Sequence, residues 1–277
     1  NPIHLITNIA NPLAPNPFLC VFIPIIFAVI FGGLGGLIFS FFTVTLRCNQ
    51  NVVGLALTVL GTAFTTFFLT SSKFMNFSYL INAGVYFQSM AFPGVPSNQI
   101  NGFVDIFFAQ GFLTYFAILI AIICGFVIGK TRLGLSLRSV GENPGAADSM
   151  GISVNRYRYT ATIIGAMIAS LGGLYLIMDY AGGADPAGID IESFGWLAVA
   201  LVIFSMWRPS FAIAGSFIFS LLTTLPNVIN VAGNFKYVLQ LLPYVMTIVV
   251  LIITSILKLK NSRPPKALGT SYFREDR

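Results

Sequence analysis

The stretch KTRLGLSLRSVGENPGAADSMGISVNRYR, Lys130 to Arg158, is the longest polar interruption between the strongly apolar segments of this chain. It carries Lys130, Arg132, Arg138, Arg156 and Arg158. Long apolar runs flank it on both sides, so it reads as a loop between two membrane spans, and basic charge near span ends marks the cytoplasmic side. Within it, Gly141 to Gly151 predicts a short helix. Glu142, Asn143 and Pro144 supply an acidic, proline-punctuated start, Gly145, Ala146 and Ala147 lead into it, and Gly151 is the stop after Asp148, Ser149 and Met150. A compact helix held between two spans suits docking onto a soluble partner. An ordinary solvated loop with one helical turn is the plainer alternative.

Composition sets the class. The chain has 277 residues, of which 56% are hydrophobic and 9% charged, where a soluble domain carries about 25% charged residues. Mean hydropathy is +0.85. The apolar runs are continuous and approach the roughly 20 residues of a helical crossing, whereas barrel strands would alternate. The predicted fold is therefore all-α, a polytopic helical membrane protein. A net charge of +6 raises the possibility of nucleic acid, but the basic residues sit at span ends and in the tail, where topology explains them and no nucleic acid is implied. The 27 phenylalanines lie mostly inside the apolar runs, as lipid-facing bulk.

Catalytic chemistry lacks its residues. Cys20, Cys48 and Cys124 share no metal-like spacing, and His4 is the single histidine. No Gly-x-x-x-x-Gly-Lys-Ser/Thr loop occurs, and Ser-His-Asp, Cys-His and metal-ligand clusters are all missing. We expect no enzyme activity, no catalytic residue, no metal and no cofactor bound by this chain.

In chain order, residues 1–17 read as an irregular Pro- and Asn-rich segment. Phe18 to about Leu46 is the first span, with Gly32 to Gly36 as a small-residue patch for close helix contact. Val52 to Ser72 is the second. Thr58, Thr62, Thr65 and Thr66 lie near one face of it, able to line a polar path or to bond a neighbouring helix or their own backbone. Packing is the commoner meaning of such a stripe. Lys73 to Gly102 suits an external loop with a short or re-entrant helix, and Phe103 to Gly129 the third span, with Asp105 at its outer end. Tyr159 to Tyr180 is the fourth, followed by an external acidic loop with Asp179, Asp185, Asp190 and Glu192. Phe194 to Met206 and Phe211 to Leu225 flank Trp207-Arg208-Pro209-Ser210, which anchors at the inner interface, and Tyr237 to Leu257 is a full span kinked at Pro243.

This gives about seven crossings in one transmembrane domain, 1–277, with the polar loop 130–158 and a basic tail 258–277 both cytoplasmic. With the N-terminus outside, only Lys73 and Lys236 among the basic residues fall on the outer side. That asymmetry is the positive-inside pattern.

Ala146-Ala147 followed by Gly151 is spaced like the Ala-Ala-x-x-x-Gly core of the coupling loop in permeases of ATP-binding-cassette importers. TRLGLSLRSVGENPGAADSMGI resembles the loop of the simple-sugar and nucleoside permeases within the branched-chain-amino-acid/ribose-type family. The resemblance continues through NQNVVGLALTVLGTAF (Asn49 to Phe64), FGWLAVALVIFSMWRP (Phe194 to Pro209) and ALGTSYFREDR (Ala267 to Arg277). The first and last of these blocks are nearer the nucleoside type than the ribose type. An earlier span and its Ser-Glu-Arg-x-Gly-Val-x-Asn-x-Gly-Leu-Glu-Gly motif are absent, and residue 1 is Asn rather than Met, so an N-terminal portion is expected to precede this chain.

What the resemblance implies is a permease subunit forming the translocation path for a nucleoside or related simple sugar in a bacterial cytoplasmic (inner) membrane. Its partners would be ABC ATPase subunits carrying ATP-Mg, a second homologous permease in a heterodimer, a substrate-binding lipoprotein or periplasmic protein, and the lipid. Residues Gly141 to Gly151 would couple to the ATPases. By helix face and depth rather than by the resemblance, Thr62, Thr65 and Thr66 are the candidates to line the path, and Asn49 and Asn51, near its inner mouth, are weaker ones. Gly151→Pro or Ala147→Arg is expected to abolish coupled uptake by disrupting the docking surface. The alternative is a secondary carrier or passive channel for small polar solutes. Against it, ionisable residues are nearly absent from the spans, where a carrier places them.

Overall fold

The computed structural model describes residues 17–70, 81, 83–87, 110–183, 191–228, 238–239, 241–256 and 264–273. The irregular start, most of the Lys73 to Gly102 loop, Asp105, Asp185, Asp190 and the ends of the basic tail lie outside the described residues. Among those described, every regular element is helical. Among the described residues, four helical stretches are long and apolar enough to cross a membrane: Cys20–Thr45, Gln50–Phe68, Phe112–Lys130 and Val154–Tyr180. Two shorter apolar helices, Ile191–Phe204 and Pro209–Leu225, follow. The long helices show large apolar side chains outward, with Phe31, Val59, Phe67 and Phe126 each more than 60% exposed. A helix apolar all round belongs in lipid or a large core, so this is a multi-pass helical membrane protein.

Backbone contacts divide the chain into two units. The first comprises Asn1–Leu46, Val52–Thr114 and Tyr159–Ile189. Here α1, Pro17–Ser40, continues into a π-helical turn, Phe41–Thr45, closed by the Leu46 amide on the Phe41 carbonyl at 3.0 Å. Hydroxyls inside this span donate to the helix itself, Ser40 Oγ to Gly36 at 2.7 Å and Thr43 Oγ1 to Phe39 at 2.8 Å. That satisfies them where no water is at hand. Helix α2 is Gln50–Thr70. A core of Val21, Ala83, Phe87, Leu113 and Met178 is sealed by Phe87 stacked on Phe112 at 5.6 Å.

The second unit comprises Arg47–Asn51, Tyr115–Arg158 and Asp190–Arg277. It holds most of α3, Phe112–Lys130, then α4, Arg132–Glu142, and α5, Pro144–Ser149. Helix α6, Val154–Tyr175, starts here and ends in the first unit through a second π-helical turn, Leu176–Tyr180. Helices α7 (Ile191–Phe204), α8 (Pro209–Val228) and α9 (Leu242–Ile256) pack on one another, with Phe204 edge-on to Phe219 at 5.2 Å. Met206 and Trp207, with φ of 53° and 56°, turn the chain between α7 and α8.

The bounds of two spans shift. The helix of the third span begins at Phe112 rather than Phe103, since Gln110 and Gly111 are not helical and 101–109 lie outside the described residues. Helix α6 starts at Val154 rather than Tyr159, because Val154 is held in the core of the polar loop. The stretch before Pro243 is only partly described, with 238–239 helical, 240 outside the described residues and Leu241 in a turn. Pro243 occupies the first turn of α9, where its missing N–H removes no helical bond.

Candidate functional site

The polar loop folds as two helices rather than one. Thr131 starts α4: its hydroxyl donates to the Val127 carbonyl at 2.6 Å and accepts the Gly134 amide at 3.2 Å. A Cβ at Gly134 would fall 2.2 Å from the Val127 carbonyl oxygen, so only glycine lets α4 turn so closely off the end of α3. The sequence reading missed α4. Its residues alternate glycine, serine and leucine, with no long apolar stripe to signal helix.

Asn143 joins the two helices. In extended conformation it ends α4 through its amide on Ser139 at 2.9 Å, and its Oδ1 accepts the Ala146 amide at 3.0 Å to begin α5. Pro144 stands in the first turn, where a proline costs no hydrogen bond. The other end of α5 explains the Ala147-to-Gly151 spacing. Gly151 has φ +82°, its amide bonds the Asp148 carbonyl at 3.0 Å, and the Ile152 amide returns to the Ala147 carbonyl at 3.0 Å. This pair of bonds is the Schellman closure, and Ile152 packs on the apolar cluster that holds Ala147. The motif is thus a capped single-turn helix with a small residue facing inward and glycine where the backbone turns left-handed.

The predicted residues divide by exposure. Glu142, Asn143, Ala146, Ser149, Met150 and Gly151 are exposed, Met150 at 83%. Gly141, Pro144, Gly145 and Asp148 are half-buried. Ala147 is 3% exposed, in a small core with Val140 and Val154, packed by Ile152, Tyr157 and Tyr272. Arginine at Ala147 would therefore break the loop's own core, not a docking surface.

Tyr272 belongs to the segment 264–273, within the expected basic tail 258–277. The structure lays it along the loop. The Ala267 amide donates to the Gly141 carbonyl at 2.9 Å, and Arg158 Nη1 donates to the Thr270 carbonyl at 2.8 Å. Ser271 Oγ donates to the Arg47 carbonyl at 3.3 Å, and the Arg47 guanidinium lies over the Phe273 ring at 4.5 Å. The signal was the ALGTSYFREDR block. Its apolar and aromatic members are out of place in a solvated tail.

The other predicted residues lie on α2. Thr62 and Thr66 donate to Val59 and Thr62 carbonyls, each at 2.9 Å, and Thr58 and Thr65 likewise bond their own helix. All four are exposed. Asn49 Oδ1 accepts the Asn51 amide at 2.9 Å, shaping the turn that opens α2.

Residues 5–251 match the family described as branched-chain amino acid transport system, permease component. The chain belongs to this family. This permease is 33% identical over 259 residues to the nucleoside ABC transporter permease protein NupC of Lactococcus lactis subsp. cremoris, covering 89% of this chain and 77% of that protein. It is 32% identical to the putative glucose ABC transporter permease protein TsgC13 of Haloferax volcanii, over 85% of this chain and 76% of that protein. It is 30% identical to the guanosine ABC transporter permease protein NupQ of Bacillus subtilis, over 89% and 76%. No solved structure matches. A permease subunit is thereby favoured over a secondary carrier or passive channel.

Proposed function

We propose that this permease forms the translocation path of an ATP-binding-cassette importer for a nucleoside or a related simple sugar. The observation that carries it is the match along nearly the whole chain to permease components, with nucleoside permeases among the relatives. The span interiors agree with an outside energy source. Charged residues in the four long helices stand only at ends: Lys130, Arg156, Arg158 and Asp179. A neutral, polar ligand suits such a path, and the exposed hydroxyls of Thr62, Thr65 and Thr66 keep acceptor capacity after donating to their own helix. Asn49 and Asn51 stand at the start of the same helix.

Residues Gly141 to Gly151 are the coupling element in this reading. Met150, Ser149 and Ala146 form its open side, and a separate ATPase carrying ATP-Mg grips them. Because α5 is capped at both ends, it moves as a rigid body when the ATPase pair closes, switching the path between outward and inward states. A second homologous permease completes the path, a substrate-binding protein delivers ligand from outside, and a bacterial cytoplasmic membrane houses the assembly. The test is competition. Import of radiolabelled guanosine by the purified complete importer is measured against excess unlabelled nucleosides and hexoses. Nucleosides are expected to compete and hexoses not; the reverse would overturn the ligand assignment.

A further inference from the structure

We propose that the segment 264–273 is a positioning strap that fixes the pose of α5, so that force applied to this helix reaches the spans instead of being lost in the loop. The inference rests on the coupling role proposed for α5. Three attachments place the strap. Ala267 bonds Gly141 near the end of α4, Thr270 is held by Arg158 in the first turns of α6, and Ser271 with Phe273 engages Arg47 in the turn between α1 and α2. Between the last two, Tyr272 enters the core that buries Ala147 of α5 itself.

Helix α5 has six residues, too few to hold its own position. Asn143 and the closure at Gly151 set its conformation, and its attitude towards α4 and α6 comes from the Val140, Ala147 and Val154 cluster. Tyr272 is the side chain that the strap contributes to that cluster. Its hydroxyl is buried without a partner among the described residues, so its contribution is the packing of the ring. Tyrosine and phenylalanine should therefore serve equally, and alanine should not.

The experiment uses the complete importer, isolated from its native membrane and placed in proteoliposomes. It reads copurifying ATPase, ATP hydrolysed, and uptake of radiolabelled guanosine and uridine. Tyr272→Ala is expected to keep its ATPase subunits but move roughly fivefold less nucleoside per ATP, while Tyr272→Phe keeps the normal ratio. An unchanged ratio in Tyr272→Ala, an equal loss of uptake and hydrolysis, or a Tyr272→Phe variant as impaired as alanine would overturn the strap. Met150→Glu separates the underlying reading: if it alters neither ATPase retention nor uptake, the coupling role of α5 fails and the strap falls with it. If the unsubstituted importer takes up neither nucleoside, the ligand assignment fails alone. Hydrogen exchange at the Ala146 and Ala147 amides of the same complex then decides, faster exchange in Tyr272→Ala supporting the strap and unchanged exchange overturning it.

Discussion

The Arg158 guanidinium donates from Nη1 to the Thr270 carbonyl at 2.8 Å, joining residues 112 apart in the chain. The bond holds the start of α6 to the C-terminal segment. A charged donor on a neutral carbonyl in a partly exposed place contributes about 1 kcal/mol. Arg158→Met should loosen the segment without unfolding the spans. Limited trypsin digestion checks this: cleavage after Lys266 is expected to speed up, with Arg158→Lys intermediate. Equal cleavage rates in all three proteins would show that the bond holds nothing.

Gly151 stands at φ +82° with nothing within 4 Å of an added Cβ. The cost of Gly151→Ala is thus backbone strain alone, about 1 kcal/mol, and Gly151→Asn should cost less. Nucleoside uptake is expected to fall in the order Gly, Asn, Ala, with unchanged membrane insertion. Alanine behaving as glycine would mean that the left-handed closure of α5 is dispensable.

Asn143 caps α5 through Oδ1 on the Ala146 amide at 3.0 Å. Asn143→Ala removes an N-cap worth roughly 0.5–2 kcal/mol, and Asn143→Asp keeps it. Faster hydrogen exchange at Ala146 in the alanine variant alone is the expected result.

Glycines of the first span differ sharply in what surrounds them. A Cβ at Gly36 would meet Ala166 Cβ at 2.7 Å and Ile163 Cα at 3.1 Å, whereas Gly35 has open space. Gly36→Val should cost roughly 1–3 kcal/mol by overpacking α1 against α6, and lower thermal stability in detergent. Gly35→Ala should be tolerated. Equal stability of the two variants would remove the packing role of the Gly32 to Gly36 patch.

Much of this was legible from residue types. Long apolar runs without interior charge mark spans whatever their neighbours; α1 and α2 fall within a few residues of those runs, whereas α3 starts at Phe112 rather than Phe103 and α6 at Val154 rather than Tyr159. Ala147 and Gly151 could be picked out by spacing, because the Schellman closure ties a fixed chemistry to a fixed separation. Which face of α5 is buried could not be read from the sequence. Ala146 and Ala147 are identical side chains, and Ala147 turns inward onto Val140 and Val154, in a cluster that Tyr272 joins from far along the chain. The strap's attachments escaped because each ends on a backbone carbonyl, of Gly141, Thr270 or Arg47, and carbonyls leave no trace in composition that would show which distant residues meet. The threonine stripe on α2 was ambiguous between a path and packing. Its hydroxyls donate to their own helix, which neither uses up nor assigns their outward lone pairs.

The central claim, that α5 passes ATP-derived motion to this permease, is tested most directly by uptake of radiolabelled guanosine into proteoliposomes holding the complete importer. ATP is supplied or withheld on the ATPase side, and the unsubstituted chain is compared with Met150→Glu. The account predicts uptake only with ATP, and its loss in Met150→Glu although the permease remains inserted. Equal uptake without ATP, or undiminished ATP-driven uptake by Met150→Glu, would contradict it.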